Sequence, residues 1–104
     1  MKWIEVCDVS AISPDDLMSV EVAGVAITIC LVEGQYWAFS TICTHERVSL
    51  ADGYLEGCEI ECPLHGARFD VRNGRCMSPP ATKDLQTFPT KVENSKLYVQ
   101  VEEQ

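Results

Sequence analysis

Both histidines of this chain lie close to a cysteine in the sequence. Cys43 and His45 form a C-x-H pattern, and Cys62 and His65 form a C-x-x-H pattern that is followed by Gly66. Each pair falls where a loop would join two strands. Cysteine thiolates and imidazoles are the side chains with which proteins bind zinc and iron–sulfur centres. Two such pairs in one short chain therefore predict a metal centre.

Two kinds of metal group fit this spacing. Structural zinc accepts two cysteines and two histidines in a tetrahedron, and two loops carrying one of each could converge on a single ion. In the familiar zinc finger, however, both cysteines precede both histidines. Loops that carry one cysteine and one histidine suit a flat two-iron cluster, in which the cysteines take one iron and the histidines the other. The pattern favours iron, and zinc stays open on spacing alone.

Short strands separated by turns are the elements that must position these loops. Strand-like runs cover residues 2–7, 17–22, 25–33, 36–41 and 96–101, with the clearest apolar alternation in the last run. Turn signals lie at 13–16, 23–24, 34–35, 52–53, 73–74 and 94–95. We expect a short helix around Val48–Ala51 and a stiff loop at 77–81, where two prolines stand in a row. This pattern predicts an all-β sandwich or small barrel.

Length and composition limit the classes of protein to consider. A chain of 104 residues is long enough for one domain, so we expect a single domain over 1–104. No run reaches the ~20 apolar residues of a membrane span. The first residues lack the basic and apolar blocks of an export signal, so we expect a cytoplasmic protein. Cysteines grouped with histidines in a reducing compartment more often bind metal than form disulfides.

The charge of the chain is strongly negative. Sixteen acidic residues against eight lysines and arginines give a net charge of −8. Such a surface repels nucleic acid and anionic lipid, and it favours encounters with positively charged protein patches. Two interpretations stay open: the charge steers the approach of a protein partner, or it only keeps the protein soluble. Under both we expect no nucleic acid and no membrane.

The segments around the cysteines resemble a known family. The runs 43–45 and 62–66 are similar to the two cluster loops of Rieske proteins, and Pro79-Pro80 is similar to the proline-bearing loop that covers the cluster in that family. Five further runs resemble the Rieske ferredoxins of bacterial aromatic-ring dioxygenases of the naphthalene, nitroarene and biphenyl type: 2–5, 52–57, 59–65, 68–71 and 89–94. The resemblance extends over the whole chain.

The resemblance implies a fold, a cofactor and a role. It implies a small Rieske-type antiparallel β-sandwich, with a cluster-binding subdomain of two loops at one end, at about residues 42–81. It implies one 2Fe–2S cluster whose ligands are Cys43, His45, Cys62 and His65. The implied role is a monomeric one-electron carrier between an NAD(P)H-dependent flavoprotein reductase and a terminal oxygenase. The alternative role is a Rieske-like small subunit of a reductase complex such as nitrite reductase, and a zinc-bound interaction module is a third.

Two absences from the sequence argue against catalysis by this chain itself. If both histidines bind the cluster, none is left for a mononuclear iron site, which needs two histidines and a carboxylate. No G-x-G-x-x-G motif follows a strand, so no dinucleotide-binding unit is expected. We predict an electron carrier without catalytic residues.

Departures from the family pattern predict a low reduction potential. Val48 and Leu64 stand where respiratory Rieske proteins have the two cysteines of a disulfide. Ala67 and Phe69 stand where those relatives direct serine and tyrosine hydroxyls at the cluster and its cysteine ligand. Hydrogen bonds to sulfur favour the reduced cluster, so their loss predicts a potential near the low end of the Rieske range, at about −150 mV.

The remaining chemistry-bearing residues receive simpler interpretations. The other four cysteines are expected to act as small apolar residues: Cys7, Cys30, Cys58 and Cys76. Core or near-core positions are expected for Trp3, Trp37, Phe39, Phe69 and Phe88. Arg68 is expected to pair with one of the acids that flank the loops: Glu46, Glu59 and Glu61. A docking patch for partners is expected around His45, Leu64, His65 and Pro79.

Overall fold

A computed structural model describes residues 2–44, 48–63, 66–78 and 83–102. The strands in these ranges are β1 Lys2–Asp8, β2 Leu17–Val22, β3 Val25–Val32, β4 Gln35–Ser40, β5 Tyr54–Glu56, β6 Glu59–Glu61, β7 Arg68–Asp70, β8 Cys76–Ser78, β9 Thr87–Phe88, β10 Thr90–Glu93 and β11 Lys96–Val101. Two single-turn 3-10 helices occur at Val9–Ala11 and Leu50–Asp52. None of the helices in the described ranges is long and apolar enough to cross a membrane.

The strands form three antiparallel sheets. Their orders are β1-β11-β10, β2-β3-β4-β9 and β5-β6-β7-β8. The second sheet, which we call the middle sheet, contributes side chains to two separate apolar clusters. The third sheet, which we call the small sheet, is built from strands of three residues each. The predicted all-β, antiparallel architecture is confirmed.

Burial on both faces explains the sequence of β3. Ile27 and Ile29 pack in the cluster shared with Leu97 and Val99 of β11, whereas Cys30 and Val32 pack in the cluster shared with the small sheet. A strand enclosed on both sides needs apolar residues at nearly every position.

Two clusters therefore form the core on either side of the middle sheet. The expected aromatic residues belong to them or lie beside them: Phe39 and Phe69 are fully buried, and Trp37 and Phe88 pack against the clusters. Trp3 is half-buried on β1, where the Lys91 ammonium lies 4.7 Å from its ring.

The helix expected around Val48–Ala51 is wrong in its position. Ser49 is the N-cap of a 3-10 turn at Leu50–Asp52, and its hydroxyl accepts the Ala51 amide at 3.2 Å. Val48 lies outside the turn because its carbonyl accepts a hydrogen bond from Cys43. That bond ties Val48 to a loop instead of a helix.

Candidate metal centre

The first cysteine begins a loop that is closed like the tip of a hairpin. The Cys43 amide donates to the Val48 carbonyl at 3.1 Å, and Ile42 and Ser49 form an antiparallel bridge directly below. Lower still, the Leu50 amide donates to the Thr41 carbonyl at 2.7 Å. These contacts fix both ends of the loop that carries the C-x-H pattern.

Buried polar contacts hold the base of this loop to β3. The hydroxyls of Thr41 and Thr28 are 2.8 Å apart, and both residues are buried. The Thr41 amide also donates to the Ala26 carbonyl at 3.0 Å. A buried hydroxyl pair that satisfies itself fixes the local geometry. Cys43 therefore leaves the middle sheet from a rigid base.

The second loop repeats the same closure. The Cys62 amide donates to the Ala67 carbonyl at 2.7 Å, so in both loops the acceptor lies five residues after the cysteine, 43 to 48 and 62 to 67. Below it, Glu61 of β6 pairs with Arg68 of β7. Cys62 thus begins the loop that joins β6 to β7 in the small sheet.

A close backbone approach joins the two loops. Gly53 directly follows the 3-10 turn that ends the first loop, and its backbone N–H donates to the Leu50 carbonyl. A Cβ at this position would overlap the carbonyl oxygen of Glu61, the residue before Cys62. Only glycine allows the chain to pass so near.

Both cysteines are buried in the same apolar cluster. Cys43 is 4% exposed and Cys62 is 1% exposed, and the cluster includes Leu50, Ile60 and Phe69. Soft sulfur donors held together and shielded from water are the ligands that iron–sulfur centres and zinc require. The structure therefore brings together two of the four predicted ligands, in surroundings that fit a 2Fe–2S cluster.

Other predicted site residues lie outside the described residues: His45, Glu46, Leu64, His65, Pro79 and Pro80. Within the described ranges, no group of three or more His, Cys, Asp or Glu side chains could hold a metal ion. That result is expected because both histidines fall outside these ranges. The complete ligand set is taken up below as a proposal.

The predicted ion pair of Arg68 is confirmed and extends further than expected. Its guanidinium donates to Glu61 at 3.1 Å and to Glu59 at 3.4 Å, and it lies 3.6 Å from Glu56. The hydrogen bond to Glu61 is the largest cause that raises the pKa of Arg68. One cation thus links β5, β6 and β7 directly below the second loop.

Sequence reasoning missed the part played by Asp70. Its carboxylate, only 6% exposed, accepts hydrogen bonds from the Arg72 side chain at 3.1 and 2.9 Å and from the Arg72 amide at 2.9 Å. The bond from the Arg72 guanidinium holds the pKa of Asp70 below its usual range. The Gly74 amide donates to the Asp70 carbonyl at 2.7 Å, so this residue shapes the turn from β7 to β8. The Asn73-Gly74 signal predicted the turn, but it did not indicate the hydrogen bonds that the Asp70 carboxylate accepts.

Cysteines outside the motif are separate from the candidate centre in their chemistry. Cys7, Cys30 and Cys58 are thiols outside any disulfide. Burial raises the pKa of Cys30 to about 12, and desolvation also raises the pKa values of Cys7 and Cys58. A raised pKa keeps a thiol protonated and inert. The Cys76 thiol donates to the Ser78 carbonyl at 3.5 Å.

Comparison with known proteins gives one family and consistent relatives. A family model described as the Rieske [2Fe-2S] domain matches residues 2–89, which include both cysteine loops. The ferredoxin component of the naphthalene 1,2-dioxygenase system of Pseudomonas putida is 42% identical over 99 residues, covering 95% of this chain and 95% of that protein.

Solved structures agree with the sequence comparison. A chain in the complex of reduced oxygenase and oxidized ferredoxin of carbazole 1,9a-dioxygenase is 34% identical, with a TM-score of 0.88 and coverage of 96% of this chain and 97% of that chain. The carbazole 1,9a-dioxygenase ferredoxin of Nocardioides aromaticivorans is 25% identical, with a TM-score of 0.93 and coverage of 98% and 100%.

Proposed function

This chain belongs to the Rieske [2Fe-2S] family, and from that membership we propose that it is the ferredoxin component of an aromatic-ring dioxygenase system. It carries one electron at a time from an NAD(P)H-dependent flavoprotein reductase to a terminal oxygenase. The observation that supports this most directly is the similarity of the two cysteine loops. In each loop the cysteine is buried, and its backbone amide donates a hydrogen bond to the carbonyl five residues later.

The proposed ligand set follows the two loops. Cys43 and Cys62 bind one iron of a single 2Fe–2S cluster, and His45 and His65 bind the other. When bound, the cluster supplies one reversible electron. The protein's part is to hold the two sulfurs in an apolar, water-poor cluster of side chains, which together with hydrogen bonding sets the potential. The cluster-binding part covers about residues 42–81 of a single domain over 1–104.

The proposed oxygenase partner follows from the names of the relatives, which are a ferredoxin component of a dioxygenase system and a ferredoxin–oxygenase complex. These names favour the carrier over the small subunit of a reductase complex. We place the carrier in the cytoplasm as a monomer. The thiols of Cys7, Cys30 and Cys58 lie outside any disulfide, which fits the proposed reducing compartment.

The first prediction concerns the cofactor. Protein purified without oxygen should contain two irons and two acid-labile sulfides per chain. Its reduced paramagnetic spectrum should show nitrogen couplings from two imidazoles, because two histidines bind the reducible iron. His45→Cys should retain two irons at best and have a lower potential, since a thiolate adds negative charge. Colourless protein with one zinc per chain would contradict the proposal.

An electron-transfer assay tests the proposed carrier role independently of the cofactor assignment. A reductase and an oxygenase of the naphthalene type should turn over aromatic substrate only when this protein is added. Loaded protein that is reduced by the reductase but does not reoxidise with the oxygenase would contradict the carrier role and leave the cluster assignment intact.

The second prediction concerns docking. Apolar side chains next to the loops are exposed, with Ile42 at 45% and Met77 at 51%, while the chain as a whole is strongly acidic. We expect apolar contact at the loop tips and charge steering during approach. Leu64→Glu should slow turnover of the three-component system at least severalfold, with the spectrum and potential nearly unchanged.

The matched control is Gln100→Glu on β11, in the sheet on the far side of the middle sheet, and it should be close to silent. Rising salt should slow association of the parent protein, because exposed charges are screened over ~8–10 Å at moderate ionic strength. If Leu64→Glu transfers electrons as fast as the parent at every salt concentration, the docking face lies elsewhere.

A further inference from the structure

Gly74 and Leu85 are eleven positions apart in the sequence, and backbone contacts hold these two residues together. The Leu85 amide donates to the Gly74 carbonyl at 2.7 Å, and the Leu85 side chain is 3% exposed in the cluster that holds both cysteines. Above this pair, the Asp84 carboxylate accepts the Cys76 amide at 2.9 Å. The Asp84 carboxylate thus binds a backbone N–H of β8, the last strand of the small sheet.

A second contact joins this base to the first cysteine loop. The Thr44 hydroxyl donates to the Lys83 carbonyl at 2.9 Å. Thr44 is the residue between Cys43 and His45, and Lys83 is the residue directly before Asp84. A carboxylate anchored on β8 therefore sets the position of the carbonyl that holds the first loop.

We propose that Asp84 is a positioning residue for the iron–sulfur cluster. It acts through the Lys83 carbonyl on Thr44, and so on the loop that carries Cys43 and His45. The inference rests on the proposed function, since the cluster is the group being positioned. We call the contacts Cys76–Asp84 and Lys83–Thr44 the latch.

Three single variants test the latch in the iron-loaded protein. Asp84→Ala removes the acceptor, Asp84→Asn removes the charge but keeps Oδ1, and Thr44→Val removes the donor. The readouts are the rate at which visible absorbance bleaches with a chelator present, the midpoint potential and the paramagnetic spectrum. Asp84→Ala and Thr44→Val should each bleach about fivefold faster, as expected from losing one hydrogen bond. Both should also shift the spectrum in the same direction.

Two control variants distinguish the effect of losing the hydrogen bond to Asp84 from the effect of losing its negative charge. Asp84→Asn should stay within about twofold of the parent, because a neutral amide oxygen still accepts the Cys76 amide. Asp16→Ala makes the same change of charge at an exposed turn and should be silent. If Asp84→Ala bleaches faster but leaves the potential and spectrum unchanged, Asp84 is a structural residue only and the proposal is wrong.

The double variant Thr44→Val/Asp84→Ala tests whether the two residues act in series. Within one latch, the second change should add little, and the double variant should bleach at nearly the rate of either single variant. Independent effects would multiply to about 25-fold and would overturn the proposal. A parent protein that holds no 2Fe–2S cluster would instead overturn the proposed function, so the two failures are distinguishable.

Discussion

Gly74→Ala should destabilise the protein by about 2–5 kcal/mol, whereas Gly34→Ala should cost only about 1–2 kcal/mol. Both glycines have a left-handed backbone, with φ of +78° at Gly74 and +73° at Gly34. They differ in surroundings. A Cβ on Gly74 would overlap the Leu85 carbonyl oxygen, whereas nothing lies within 4 Å of a Cβ on Gly34. The difference in the free energy of unfolding between the two variants therefore measures the effect of the contact with the Leu85 carbonyl alone.

The contact between Gly74 and the Leu85 carbonyl cannot relax easily, because other contacts hold both residues in place. The Gly74 amide donates to Asp70 and its carbonyl accepts from Leu85, whose side chain is buried beside the cysteines. Thermal unfolding of the iron-loaded variants, followed by far-UV circular dichroism, gives the comparison. Equal losses of stability in Gly74→Ala and Gly34→Ala would show that the Gly74–Leu85 contact is not tight in solution.

Local sequence patterns predicted the long strands well. Runs such as 17–22 and 96–101 match β2 and β11 because each is long enough to show a period of two. The strands of the small sheet have only three residues each, which is too short for any period to appear. The sequence indicated a loop joining two strands at Cys62–His65, but no bounds for those strands.

The contacts that support the candidate centre are harder to find in a sequence. Thr44 and Lys83 are separated by 39 positions, and Asp84 bonds to an amide eight positions earlier. A threonine or aspartate in a loop has many possible partners, and the fold alone selects one. The Arg68 pair was foreseeable because oppositely charged residues flank both ends of one short hairpin.

The reduction potential gives the last prediction. Ala67→Ser should raise the midpoint potential by about 40 mV, equivalent to about 1 kcal/mol for one electron. Ala67 is fully buried in the apolar cluster that holds Cys62, and its carbonyl accepts the Cys62 amide at 2.7 Å. The resemblance to respiratory Rieske proteins implies that a hydroxyl at this position would face the cluster. A donor to sulfur favours the added negative charge of the reduced state. Phe69→Tyr, also at a fully buried position, should act in the same direction.

Buried hydroxyls without a partner cost about 1–3 kcal/mol, so a control is needed to separate that cost from the effect on the cluster. Ala38→Ser supplies it, because Ala38 is 2% exposed but lies in the cluster on the opposite side of the middle sheet. It should lower stability and leave the potential unchanged. Voltammetry of the three loaded variants is the measurement. If neither Ala67→Ser nor Phe69→Tyr raises the potential while the cluster spectrum is intact, these two side chains do not face the sulfurs, and the argument for a low potential from these two positions is wrong.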